Sequence, residues 1–210
     1  MELIVTATRD EVADFTEGRD KVDEVLGRPV FGGEPRTLVT GVGRTNTAAC
    51  VALALERYDV SRVVSCGVAG ALPGSALEVG DVVVGTHAVH GDLGVVTPEG
   101  FGGTQHLGFE TTEGYYNSYP LGPLEVEGEE GGVATVATVS ATDESAREIA
   151  ERTDAVVETM ETAAVAQVAR LFGVPASAVV GVSNHAGESR GFDFETGAEA
   201  LHGALTEVYV

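Results

Sequence analysis

Thr37-Leu38-Val39-Thr40-Gly41-Val42-Gly43-Arg44-Thr45-Asn46 carries a β-branched run through a glycine turn and into a helix. Thr37 to Gly41 reads as a strand, and the helix runs from about Thr45 to Tyr58. Ala48, Val51, Ala52 and Leu55 then fall on one face at helical spacing. A short buried strand followed by an amphipathic helix is the building unit of α/β proteins. The same alternation extends in both directions. Leu3 to Thr8 reads as an opening strand, and the acidic stretch Arg9 to Leu26 is expected to be helical. Arg62 to Cys66 is a third strand that runs into the small-residue turn Gly67-Val68-Ala69-Gly70. Further strands are expected at Asp81 to Val89, Val133 to Val139, Ala155 to Glu158 and Ala178 to Ser183. Asp143 is a candidate cap for one later helix. Another helix spans Met160 to Phe172, stopped by Gly173 and Pro175, and a last one spans Glu195 to Tyr209. Gly91 to Gly132 shows little periodicity, and a loop of that length points to a functional segment or a subunit contact.

Two hundred and ten residues, 43% of them apolar, suffice for one domain over residues 1–210 with a sizeable core. No run approaches the roughly 18 to 20 apolar residues of a membrane span. The first residues lack a basic region before Arg9-Asp10-Glu11, so a cytoplasmic location is expected. Cys50 and Cys66 fit buried thiols in a reducing compartment. Thirty-three acidic side chains against twelve basic ones give a formal charge of −21, and Lys21 is the single lysine. That balance argues against nucleic acid or an anionic membrane as a partner. The acids are spread over the whole chain, as in a protein kept soluble at high salt by hydrated carboxylates.

Three motifs invite a chemical reading, each beside a plainer one. Gly41-Val42-Gly43-Arg44-Thr45-Asn46 offers backbone N–H groups to an anion or a sugar hydroxyl, but a tight turn alone accounts for it. It is a poor dinucleotide fingerprint, because Asn46 stands in place of the third glycine. Val68, Ala69 and Gly70 would let a flat ligand approach the backbone, or simply allow close packing. In Glu158-Thr159-Met160-Glu161-Thr162-Ala163-Ala164, Glu161 opens a helix among apolar neighbours. It is either a partner of the helix dipole, worth about 0.3 to 1 kcal/mol, or an acceptor for two adjacent sugar hydroxyls. Ser183 and Asn184 end an apolar strand, where ligands of open α/β sheets usually bind. The histidines His87, His90, His106, His185 and His202 show no metal-ligand spacing.

In order along the chain, these pieces resemble the nucleoside phosphorylase and nucleosidase superfamily. The resemblance covers nearly the whole sequence through Arg9-Asp10-Glu11-Val12, Gly41-Val42-Gly43, Cys66-Gly67-Val68-Ala69-Gly70, Met160-Glu161-Thr162-Ala163-Ala164 and Ser183-Asn184. Thr97-Pro98-Glu99-Gly100-Phe101 and Tyr115-Tyr116-Asn117-Ser118-Tyr119-Pro120-Leu121 are similar to the futalosine hydrolase branch of it. The resemblance implies a three-layer αβα sandwich with a central mixed sheet. It also implies a hydrolase that cleaves the N-glycosidic bond of a purine nucleoside without metal or organic cofactor, as a homo-oligomer. By it, Glu11 activates water, Glu161 grips the ribose hydroxyls, and Met160 packs against the sugar. Ser140, Ala141 and Thr142 lie where the purine is contacted, with Thr159, Ser183 and the Val68–Gly70 segment completing the pocket.

Asn184 stands where adenine-cleaving relatives carry aspartate. An amide NH₂ suits O6 and N7 of a 6-oxopurine, both acceptors, a pattern that hypoxanthine fits. The resemblance to the futalosine hydrolase branch implies the futalosine route of menaquinone biosynthesis as the setting. Ser65 stands where phosphorylases hold phosphate with arginine, which favours water as the nucleophile, although Arg44 keeps phosphate in play. The sequence departs from the family at Thr162, at Val180, and in His185-Ala186-Gly187-Glu188-Ser189-Arg190. His185 and Arg190 are candidates for a distal substrate carboxylate. Alternatives are a 6-oxopurine phosphorylase, a methylthioadenosine or adenosylhomocysteine nucleosidase, a silent nucleoside-binding module and, more weakly, a dinucleotide-binding domain.

Overall fold

The computed structural model describes residues 1–187 and 191–210. Its elements, in chain order, begin with strands β1 (Glu2–Thr6), β2 (Lys21–Val25), β3 (Arg28–Phe31) and β4 (Arg36–Val39), then helix α1 (Arg44–Arg57). They continue with β5 (Arg62–Ala71), β6 (Val82–His90), β7 (Gly94–Thr97), β8 (Gly100–Gly103), the single-turn helix α2 (Thr104–Leu107) and β9 (Ser118–Pro120). β10 (Glu129–Thr135), α3 (Asp143–Thr153), β11 (Ala155–Thr159), α4 (Thr162–Leu171), β12 (Ala176–His185) and α5 (Phe194–Tyr209) complete the chain.

A mixed sheet in the order β11-β10-β6-β12-β5-β1-β4-β3-β2 forms the middle layer, and β9 adds to β6. Strand β5 is its hub. It runs parallel to β1 on one edge and to β12 on the other. Its far end also pairs antiparallel with β11, through Val157 opposite Ala71 and Glu158 opposite Gly70. Because β11 also pairs with β10, β10 with β6 and β6 with β12, these five strands close on themselves.

The period of two along each strand sorts the core into layers. Leu3, Val5 and Val63 pack with Val51 of α1 and Ala163 and Ala166 of α4. Their neighbours Ile4, Val64 and Cys66 pack on the opposite face with Leu201, Ala204 and Leu205 of α5. This is the expected αβα arrangement about a mixed sheet. No helix among the described residues is long and apolar enough to cross a membrane.

Several local expectations are corrected. Arg9 to Leu26 is not a helix: it holds one 3₁₀ turn at Asp10–Val12 and then the edge strand β2. Val25 and Arg28 pair across a two-residue hairpin loop in which Leu26 and Gly27 both have positive φ, 51° and 73°. That geometry matches the twist of the strands and overrides the acidic, helix-like composition. Gly67 to Gly70 is no turn but the continuation of β5. The long irregular segment contains the β7–β8 hairpin, α2, β9 and the start of β10. Asp143 does not cap α3; the hydroxyl of Thr142 accepts from the N–H of Ser145 and does so instead.

Helix α5 lies so near β12 that backbone meets backbone. A Cβ at Gly181 would stand 2.0 Å from the carbonyl oxygen of Gly197, whereas one at Gly203 of the same helix would meet nothing within 4 Å. Gly181→Ala is therefore expected to destabilise the protein by about 3 kcal/mol as α5 is pushed off the sheet. Gly203→Ala should be neutral or stabilise by up to about 1 kcal/mol through helix propensity. Thermal unfolding of the two variants checks this, with a fall of roughly 10 °C expected for the first alone.

Candidate active site

The first carboxylate is set by the turn that follows β1. The Asp10–Val12 turn folds Glu11 back over the end of that strand, where it is buried. Its Oε2 accepts from the Thr6 hydroxyl at 2.8 Å, the Thr8 N–H at 2.7 Å and the Thr8 hydroxyl at 3.0 Å. Among the described residues its Oε1 accepts from the Val68 N–H alone, at 3.2 Å, and so keeps capacity for a further donor such as water. A Cβ at residue 67 would lie 2.7 Å from that oxygen. Gly67 is bare because the Glu11 carboxylate occupies the space of its side chain.

Glu161 occupies the N-cap position of α4, yet its side chain makes no cap bond. Oε1 accepts the N–H of Gly43, 118 residues away, at 2.7 Å, and Oε2 accepts the N–H of Met160 at 3.1 Å. Glu161 thus stays at the positive end of the helix dipole while its oxygens are held by N–H groups outside the helix. The second N–H of the helix, that of Ala163, is taken by the hydroxyl of Thr135 on β10 at 2.8 Å. Burial pushes the Glu161 carboxyl up to about 7, and the negative charge of Glu11 adds to it, while the Gly43 and Met160 N–H groups oppose the rise.

Asn184 stands beside Gly70 in the β12–β5 register. The buried Ser183 hydroxyl lies 3.0 Å from Oδ1 of Asn184, and the Asn184 Nδ2 donates to the His185 carbonyl at 3.2 Å with one proton to spare. On the other side of Gly70 is Glu158, a residue that sequence reasoning missed. Its oxygens accept the N–H and the hydroxyl of Ser140 at 2.8 and 2.7 Å. Burial raises its carboxyl above the usual range against those two bonds.

These groups share one cavity of about 310 Å³. Of the predicted residues, Glu11, Val68, Ala69, Gly70, Ser140, Thr159, Met160, Glu161, Ser183 and Asn184 line it. Ala141 and Thr142 do not: both are exposed, and Thr142 is committed to capping α3. Phe192 and Phe194, at the entry to α5, and Val42 and Val139 complete the wall. An aromatic pair two residues apart just beyond the Ser-Asn strand was the only sequence signal for the first two. His185 faces Glu78 at 3.5 Å, away from the cavity, and Arg190 lies outside the described residues.

Among the described residues no arginine, lysine or histidine lines this cavity. Arg44 is paired with Asp92, and Arg62 with Glu2 at 2.8 Å. Ser65 is buried behind the pocket, donating to the Thr162 hydroxyl at 3.3 Å, and Thr159 donates to the same hydroxyl at 3.1 Å. The substitution at Thr162 thus builds a hydroxyl cluster under the site.

Two carboxyls, an amide and apolar side chains on one cavity wall suit a sugar joined to a flat base. The chain belongs to the Phosphorylase superfamily, which matches residues 3–209. It is 33% identical over 197 residues to the futalosine hydrolase of Acidothermus cellulolyticus, 88% of this chain and 80% of that protein. It is 35% identical to the 5′-methylthioadenosine/S-adenosylhomocysteine nucleosidase of a Geobacillus strain, over only 95 residues, 45% of this chain and 40% of that relative. The nucleosidase of Neisseria meningitidis, solved with methylthio-immucillin-A, has the same fold: TM-score 0.83, 99% of this chain and 97% of that one, at 20% identity.

The raised Glu161 carboxyl links the site to stability. The folded state holds this proton up to about pH 7, and the unfolded chain releases it near the ordinary value of 4.5. Stability should therefore fall as pH rises from 4.5 through 7, by about 3 kcal/mol in all. Glu161→Gln removes that dependence. The variant should match the wild type at pH 5 and unfold at higher temperature at pH 8, and parallel melting curves at both pH values would contradict the linkage.

Proposed function

We propose that this protein is a purine-nucleoside N-ribosyl hydrolase of the cytoplasm whose substrate is futalosine, releasing hypoxanthine in the futalosine route of menaquinone biosynthesis. The observation that carries the reading is the convergence of Glu11, Glu161 and Asn184 on one cavity that no described cation lines. The likeness to a futalosine hydrolase over 88% of this chain and 80% of that protein supports the choice of substrate.

The chemistry follows from the placement. Breaking the C1′–N9 bond sends its electron pair to the purine and leaves an oxocarbenium-like ribose. The Glu161 carboxylate accepts the two ribose hydroxyls and shares the cation's charge, with Met160 against the sugar face. Water held on Glu11 Oε1 attacks C1′ and gives its proton to that carboxylate. The proton of Asn184 Nδ2 that the His185 carbonyl leaves free is shared between O6 and N7 of the departing base. A phosphate dianion would enter beside two carboxyls with no guanidinium among the described residues to meet it, which favours water as the nucleophile. Homo-oligomerisation through the 91–132 region and activity at high salt belong to the same proposal. A methylthioadenosine or adenosylhomocysteine nucleosidase is the second reading, favoured by the Geobacillus match.

Release of free base from futalosine, inosine and methylthioadenosine, with and without phosphate, decides between them. Futalosine should be the best substrate, and phosphate should leave the rate unchanged. Adenine as the preferred product would move the protein to the second reading. Glu11→Gln and Glu161→Gln should each lower kcat/KM by about 10²-fold or more. Since ribose binding requires ionised Glu161, kcat/KM of the wild type should fall as pH drops through about 7. A flat profile between pH 6 and 8 would remove Glu161 from that role.

A further inference from the structure

The steps above leave one buried carboxyl without a task. Glu158 ends β11, is 4% exposed and stands on the cavity wall. Taking a carboxyl out of water is unfavourable, and a neutral acceptor would hold Ser140 as well. Gly70 pairs with Glu158 on β11 and with Asn184 on β12. A Cβ at Gly70 would lie 3.1 Å from Nδ2 of Asn184 and 3.5 Å from Cγ of Glu158. Amide and carboxyl therefore flank a bare backbone position against which a flat ring can lie. The two bonds from Ser140, one to each oxygen, fix the carboxyl plane and leave each oxygen able to accept again.

We infer that Glu158 is the residue that reads position 1 of the base, accepting the N1–H of a 6-oxopurine while the free Nδ2 proton of Asn184 is shared between O6 and N7. The inference rests on the nucleosidase reading and adds a specificity determinant to it. Along this edge a 6-oxopurine presents two acceptors and then a donor, at N7, O6 and N1. A 6-aminopurine presents acceptor, donor, acceptor. An amide donor followed by a carboxylate acceptor matches the first base and opposes the second at both the 6-substituent and N1. A site built to hydrogen-bond its substrate rejects the mismatched analogue far more strongly than a hydrophobic slot does.

Inosine and adenosine differ only along this edge, so the test is the ratio of their kcat/KM values in the wild type and in Glu158→Gln. The wild type should favour inosine by about 100-fold or more. Glutamine can either accept from N1–H or donate to a bare N1, so the variant should bring the ratio at least about tenfold closer to one. Equal losses on both nucleosides with the ratio intact would reduce Glu158 to a support for Ser140 and overturn the inference, leaving the hydrolase reading standing. A wild type that cleaves no nucleoside would defeat the hydrolase reading instead. Calorimetric binding of free bases to the wild type then decides the point by itself, as it does if the variant does not fold. Hypoxanthine should bind at least about tenfold more tightly than 1-methylhypoxanthine and adenine, and equal affinities would overturn the inference.

Discussion

Everything in the site is referred to the backbone of one strand. β5 is paired by β1, β12 and β11, and each of those strands delivers a functional group to the same few residues of it. Glu11 follows β1 and fills the space beside Gly67, while Glu158 and Asn184 come from β11 and β12 to the two sides of Gly70. The convergence is possible only because β5 carries no side chain at those two positions. A larger residue at either would have to displace an oxygen or a nitrogen that the cavity uses. Glycine here sets the distance between chemical groups, not the bend of a chain.

The second constraint is electrostatic. Glu11 and Glu161 border one cavity without a described cation between them, and the repulsion contributes to holding the Glu161 proton. Fixed donors keep Glu11 in place: the Thr6 and Thr8 hydroxyls and the N–H groups of Thr8 and Val68. A site of this kind is poorly disposed to a second anion and well disposed to a group that becomes positive. The ribosyl cation of N-glycoside cleavage is such a group.

Much of this was legible in the residues, and the exceptions have physical causes. Strands such as Thr37 to Gly41 and the helix facing inward through Val51 announce themselves by period, because burial enforces it. The β2–β3 hairpin does not: its strands are short, charged and at the sheet edge, and its loop is Leu26-Gly27 in place of the commoner asparagine- or aspartate-glycine pair. Glu161 and Asn184 stand at element ends beside apolar runs, where an isolated polar residue is conspicuous. Glu158 lies in the same motif without standing out, since its meaning arises only from the antiparallel β11–β5 pairing, which no local pattern encodes. The family resemblance implies a base contact for Ala141 and Thr142 with Ser140, yet the chain turns away at that point to begin α3. Phe192 and Phe194 were invisible as a wall, because their role depends on how α5 is seated against β12.

That Thr135 serves the Ala163 N–H has a wider meaning for α4. A glutamate at the head of a helix ordinarily faces two competing demands, fastening its own first turn and serving whatever lies outside. Here the neighbouring strand lends the fastening, so the helix begins securely whatever residue 161 does. In the proposed role, the carboxylate is then at liberty to bind and release a guest at every turnover without loosening the scaffold that presents it.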